Sequence, residues 1–319
     1  MDANAGQVVL GVAKEARRPF LVDLVVRLVR EKPLGTVGGG IVLVLLLVAI
    51  FADVIAPYGV NQQILIDRVQ PPSATHLLGT DNLGRDLLSR IIYGARISIY
   101  VGLGGSVICT VVAAAIGLAS GFFGGKLDLV IQRFVDSWMC FPALFVYLTV
   151  MSLLGPGLVQ VTMVLGIERG IAQSRVVRGT VIGIKENIYV EAARSIGCTS
   201  RQILVRHVLP NIMAPLITIF AVSSGYVILG EATLSFLGFG IPPPTPSWGA
   251  MLSGSGRRYM LLAPWMALWP GLALAIVVYG LNMLGDAMRD LLDPRLRGGI
   301  GRYRKAKETK HSREPTKKS

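Results

Sequence analysis

The sequence predicts an all-α polytopic membrane protein with six transmembrane helices, and three observations carry that expectation. Of its 319 residues, 52% are hydrophobic and only 16% charged, against roughly 25% charged in an average soluble domain. Six apolar segments approach the ~20 residues a helix needs to cross the hydrocarbon core. The Lys and Arg residues, 32 in all, gather in alternate intervening segments, as the positive-inside bias of membrane proteins requires.

The elements follow in chain order. Residues 1–35 read as a polar N-terminal tail. Residues 36–58 read as the first span, containing GGGIVLVLLLVAIFADVIAP. Its apolar core is longer than that of a cleavable leader, and a polar stretch precedes it, so it reads as a retained span. Residues 59–96 form an external loop holding the amphipathic stretch DNLGRDLLSRIIYGARIS. There Leu87, Leu88, Ile91 and Ile92 share one helical face while Arg85, Ser89 and Arg96 fall largely elsewhere, the pattern of an interfacial helix. Five further spans lie within 97–286: Ile97–Phe123, Ser137–Leu154, Leu158–Gly170, Ile212–Gly238 and Met266–Gly285. The Pro-rich IPPPTPSWG between the last two is too stiff and donor-poor for a helix or a central strand. Trp248, Trp265 and Trp269 suit an aromatic belt at the outer interface. Residues 287–319 form a basic tail.

Charge sets the orientation. With the N-terminus inside, 26 of the 32 Lys and Arg residues fall on the cytoplasmic side, counting Arg169 at the inner end of the fourth span, so both termini are expected in the cytoplasm. The net charge of +13 is then a topology signal, and the C-terminal tail is expected to be solvated, not a nucleic-acid-binding arm.

This orientation makes 171–211 the largest cytoplasmic insert between spans. Within it, Asn187 is placed to cap a helix through IYVEAARSI that stops at Gly197, a position free to turn left-handed. Thr199 with Gln202 three residues later forms a capping-box pattern for a second helix, expected to end before Pro210. Three readings of this hairpin compete. It can lie on the bilayer with Ile196, Ile203, Leu204 and Val208 facing lipid. Arg194, Arg201 and Arg206 would suit a DNA-binding helix-turn-helix, but membrane tethers at both ends disfavour that. Or it is a docking element, with Ala192 and Ala193 keeping one helix face slim and Glu191 offering a directional charge.

Glu191-Ala192-Ala193, then Gly197, then Leu209-Pro210 at fixed offsets resembles the coupling loop of ABC-importer permeases. The usual Ile two residues before the Leu is His207 here. The resemblance extends through HLLGTDNLGRDLLSRIIYGARISI, GFFGGKLDLVIQRFVD, GEATLSFLGFGIPPPTPSWGAML and NMLGDAMRDLLDPRLRG. Together these are similar to the dipeptide/oligopeptide/nickel importer permeases, of the subunit type with a short N-terminal region and one extra span. One departure is ERGIAQSR (Glu168–Arg175), where relatives often carry an aromatic-Gly-Tyr-Ala-Arg stretch. The resemblance implies an ABC type I importer permease fold and a prokaryotic cytoplasmic (inner) membrane location. It implies ATPase subunits docking at the insert, a second permease subunit and an external solute-binding protein. The solute would be a peptide or a relative such as a nickel chelate or oligosaccharide, moved by alternating access. The coupling contacts would fall on Glu191, Ala192, Ala193, Gly197, Leu209 and Pro210.

The chain's own chemistry is sparse. SGFFGGKL misses the phosphate-loop pattern G-x-x-x-x-G-K-[ST] at its first Gly (Ser120) and after Lys126 (Leu127). No cofactor is expected on this chain, and ATP and Mg would belong to partner ATPase subunits. Three cysteines (Cys109, Cys140, Cys198) and three scattered histidines (His76, His207, His311) give no metal spacing. An intramembrane enzyme, or a membrane-tethered scaffold or regulator, are the rival classes. Catalysis would need a nucleophile–base pair or facing carboxylates, and no catalytic set is expected. Glu231, inside the fifth span, is the candidate intramembrane functional acid, balanced against a simple polar pairing with a neighbouring helix.

Overall fold

A computed structural model of the chain describes residues 20–292. Most of the N-terminal tail and most of the basic C-terminal tail expected from the sequence lie outside the described residues. Among the described residues every regular element is helical, apart from an isolated bridge between Thr80 and Asp86.

A short amphipathic helix α1 (Phe20–Glu31) leads into α2 (Pro33–Ile50), with Pro33 at its first position, where a missing N–H costs nothing. A break at Phe51 separates α2 from the four-residue α3 (Ala52–Ile55). After a connecting segment containing a 3-10 turn at Leu65–Asp67, α4 runs for 37 residues from Leu87 to Phe123. The Asp86 carboxylate starts it by accepting the Ser89 N–H at 2.8 Å. The amphipathic stretch and the second span are therefore one helix, about 55 Å long. Gly94 does not interrupt it, because the Trp248 indole packs directly over that glycine.

Helices α5 (Gly125–Met139) and α6 (Ala143–Leu154) meet at 89°. Pro142 cannot continue α5, so the segment expected to start straight at Ser137 is bent. Helix α7 runs from Leu158 to Lys185, well past the expected end at Gly170. The charges that suggested an end have partners: Glu168 accepts the Tyr147 hydroxyl at 2.7 Å, and Arg169 lies 4.1 Å over the Tyr226 ring. The polar hairpin follows. Helix α11 (Met213–Phe236), α12 (Trp248–Tyr259, capped by Ser247) and α13 (Trp265–Leu292, with Pro270 inside) complete the chain.

Helices α2, α4, α11 and α13 are long and apolar enough to cross a membrane, and the bent α5–α6 pair adds a fifth candidate span. Helix α7 is long enough but carries Glu168, Arg169, Arg175 and Arg178. The packing centres on α4 against α7, with α13 against α2 and α11 against both α4 and α13. Trp248 is 2% exposed and donates its indole N–H to the Ile91 carbonyl at 3.1 Å. It is a core residue tying α12 to α4, not a member of an interfacial belt. Trp265 is half-buried, donating to the Thr80 carbonyl at 3.3 Å.

Candidate functional site

Residues 186–211 form the hairpin, and local chemistry explains each turn of it. Helix α8 (Ile188–Ser195) begins after Asn187, which has extended backbone. The Asn187 side chain does not cap α8. Its amide donates backward to the Gly183 and Ile184 carbonyls, each at 3.1 Å, closing the open end of α7 instead. Helix α8 stops at Gly197, whose φ of 85° an L-residue adopts only with strain. The turn returns the Gly197 N–H to the Arg194 carbonyl and the Cys198 N–H to the Ala193 carbonyl, both at 3.0 Å. This is the left-handed helix stop expected of glycine.

Thr199 then makes the full capping box. It accepts the Gln202 N–H at 3.3 Å, and its own N–H donates to Gln202 Oε1 at 2.8 Å. The helix it starts does not end before Pro210. Helix α9 (Ser200–Ile203) widens into a π-turn over Leu204–Val208 and resumes as α10 (Leu209–Asn211) through the proline. The wide turn pairs the Leu209 N–H with the Leu204 carbonyl. That shift frees the chain from the bond Pro210 cannot donate and eases its ring clash.

The hairpin's apolar side faces protein, not lipid. Val190, Ala193, Ile203 and Val208 are buried together with Val177 and Val181 of α7 and with Ile212 and Leu216 at the start of α11. Of the four residues expected against lipid, Ile203 and Val208 point inward, Leu204 packs on the same cluster, and only Ile196 is open, at 81%. Burying each such aliphatic side chain contributes about 1.5–3 kcal/mol, so the hairpin is firmly seated on the ends of two long helices. Its outward surface presents Glu191, Ala192 and Gly197, flanked by exposed Ile188 and Ile196. Ala193 is turned into the cluster, Leu209 is half-buried against it and Pro210 is exposed. His207 lies 6.3 Å from the Tyr189 ring, bridging the two arms of the hairpin.

Two features were not legible beforehand. Arg178 on α7 grips Asp128 on α5 with Nε at 2.7 Å and Nη2 at 2.6 Å, while the Ser120 hydroxyl of α4 donates to the same carboxylate. The 50 residues between Asp128 and Arg178 hide the pair in the sequence. The second is a groove of about 880 Å³ between α7, α11 and the end of α13, lined by Arg169, Tyr226 and Arg289 among others.

Glu231 belongs to neither feature. It is 1% exposed, about 27 Å along α11 from Met213, and accepts the Ser235 hydroxyl at 2.6 Å, with the Ser247 hydroxyl also in reach. Among the described residues no group of three His, Cys, Asp or Glu side chains could hold a metal ion.

Residues 112–298 match the family described as the binding-protein-dependent transport system inner membrane component. Residues 21–72 match the N-terminal transmembrane domain of oligopeptide transport permease C. A chain of Brucella suis biovar 1 named for a peptide transport system permease is 41% identical over 80% of this chain and 87% of its own length. The dipeptide transport system permease protein DppC of Alkalihalophilus pseudofirmus is 37% identical, covering 84% and 88% of the two chains. Among solved structures, the inward-facing MetNI methionine ABC transporter aligns with a TM-score of 0.50 at 17% identity, over 65% of this chain and 96% of that one. That likeness concerns the fold alone. An all-helical chain with several membrane-crossing helices and a polar hairpin seated on two of them, matched along most of its length, belongs to the binding-protein-dependent transport system inner membrane components, as a non-catalytic ABC-importer permease subunit.

Proposed function

We propose that this subunit forms half of a type I transmembrane pathway for short peptides, driven by ATPase subunits that dock on the 186–211 hairpin. The observation that carries the docking role is the hairpin's two-sidedness: an apolar face locked onto α7 and α11, and a slim outward face of Glu191, Ala192 and Gly197. Gly197, Leu209 and Pro210 set its shape and Ala193 anchors it. A partner pushing that face moves both long helices. ATP and Mg²⁺ act on the partners. For alternating access their nucleotide state must favour one conformation of the permease pair over the other.

The six spans of this reading are α2–α3, α4, the bent α5–α6 pair, α7, α11 and α13. Helix α7 crosses despite its charges because Glu168, Arg175 and Arg178 have partners within the protein. The first span occupies 36–58 and the five-span core 97–286, with both termini and the hairpin cytoplasmic. The distribution of Lys and Arg supports that orientation. The external face, including 59–96, receives a solute-binding protein, and a second permease subunit completes the pathway. The relatives named for peptide and dipeptide transport support the substrate class.

Proteoliposomes holding this chain, the second permease, the ATPase subunits and the binding protein test the reading. ATP-dependent accumulation of a labelled dipeptide supports it, and its absence with the complex intact overturns it.

A further inference from the structure

We propose that Arg169 is a binding residue for the carboxylate of the cargo peptide as it passes through the membrane. The inference rests on the peptide-transport reading and adds a site to it. In the six-span reading above, Arg169, the twelfth residue of α7, lies about 17 Å along the helix axis from its start, inside a hydrocarbon core about 30 Å thick. A guanidinium at that depth is costly and marks a pathway or a pairing.

The pairing is missing. Among the described residues no carboxylate lies within ion-pair distance of Arg169. The adjacent Glu168 is turned to α6, where it accepts the Tyr147 hydroxyl at 2.7 Å. Arg169 Nε is buried without a hydrogen-bond partner, a state that costs free energy until an acceptor arrives. What holds the side chain is the Tyr226 ring, 4.1 Å from the guanidinium carbon, which supports the cation while using none of its N–H groups.

The groove supplies the space. Its volume of about 880 Å³ lies within the roughly 300–1,000 Å³ range of small-ligand sites. Arg169 and Arg289 line it, and among the described residues no acidic side chain does, so the described lining is net positive. The depth of Arg169 argues against a lipid headgroup. A free carboxylate fits the forked donor geometry of arginine, and every unmodified peptide carries one at its C-terminus.

The test uses the complete transporter. Uptake of labelled dialanine by proteoliposomes reports on the peptide reading. Equilibrium binding of dialanine and of dialanine amide to the nucleotide-free complex, without binding protein, reports on Arg169. The expected result is that wild type prefers dialanine over its amide by about tenfold or more, the worth of one charge-assisted hydrogen bond. Arg169→Gln removes that preference, and Arg169→Lys keeps part of it. Dialanine binding as tight in Arg169→Gln as in wild type overturns the assignment while leaving the transport reading intact, as does a wild type without preference. Loss of the second permease from the Arg169→Gln complex gives Arg169 to a partner carboxylate and also overturns it. A wild type that does not accumulate dialanine removes the peptide reading and the assignment together.

Discussion

Gly166 on α7 and Gly105 on α4 meet backbone to backbone: a Cβ on Gly166 would sit 2.7 Å from the Gly105 carbonyl oxygen. One turn on, a Cβ on Gly170 would lie 2.8 Å from the Cys109 carbonyl oxygen. Close helix approach of this kind supplies packing that lipid cannot replace.

The first prediction concerns this seam. Gly166→Leu should sharply lower the amount of assembled permease in the membrane, because backbone atoms cannot yield as side chains do and overpacking costs typically 1–3 kcal/mol or more. Gly179→Ala on the same helix, with open space around it, should leave the level unchanged. Quantitative immunoblots of membrane fractions give the comparison, and equal levels of the two variants would refute the seam.

The second prediction addresses the hairpin. Gly197→Val puts a β-branched residue at φ 85°, a strain of about 1–2 kcal/mol, and so distorts the outward face without touching a neighbour. Glu191→Lys reverses the charge on that face and leaves the buried side alone. Both variants should reach the membrane and accept the loaded binding protein, yet uptake should fall by about tenfold or more. Co-purification of the ATPase subunit should weaken in parallel. Uptake at wild-type rates in both variants would sink the docking role.

How far the sequence could be read depended on whether the deciding partner was local. Gly197 and the Thr199–Gln202 box are set by atoms within three residues, and the structure has them as expected. Asn187 looks like a cap for α8 because that rule is also local, but the carbonyls at the end of α7 compete for its amide. Pro210 reads as a stop because its N–H is missing, and only a π-turn five residues long shows how a helix continues through it. The continuation of α7 past Gly170 is hidden in the sequence for a longer-range reason. Glu168 and Arg169 look like helix-ending charges until Tyr147 and Tyr226, 21 and 57 residues away, are placed beside them. Trp248 looked interfacial by residue type, while its burial depends on the gap that Gly94 leaves in α4.

The third prediction uses the clamp between α5 and α7. The Arg178–Asp128 pair is bidentate and shared with Ser120, yet Arg178 remains 32% exposed, so solvent screening limits its worth to about 1 kcal/mol. A double-mutant cycle of Arg178→Ala and Asp128→Ala, read by thermal unfolding of the purified complex, should give a coupling energy of that order. Strict additivity would mean the pair is a surface contact without mechanical weight. The expected coupling would instead make α5 part of the same rigid block that carries the hairpin.

The last prediction decides between the two roles of Glu231. Its carboxylate accepts the Ser235 hydroxyl at 2.6 Å with Ser247 beside it, and it lines neither the groove at Arg169 nor the cavity near Asp81 and Arg90. A buried acid whose hydrogen-bond partners among the described residues are hydroxyls of its own helix and of the α12 cap is placed to hold the α11–α12 connection. Glu231→Gln keeps an acceptor for Ser235 and should preserve uptake within about twofold. Glu231→Leu leaves the buried Ser235 and Ser247 hydroxyls without that acceptor, a cost of about 1–3 kcal/mol for each unsatisfied group, and should reduce the folded amount of permease. Full-level Glu231→Gln protein that no longer transports would show that the negative charge itself takes part in the transport cycle.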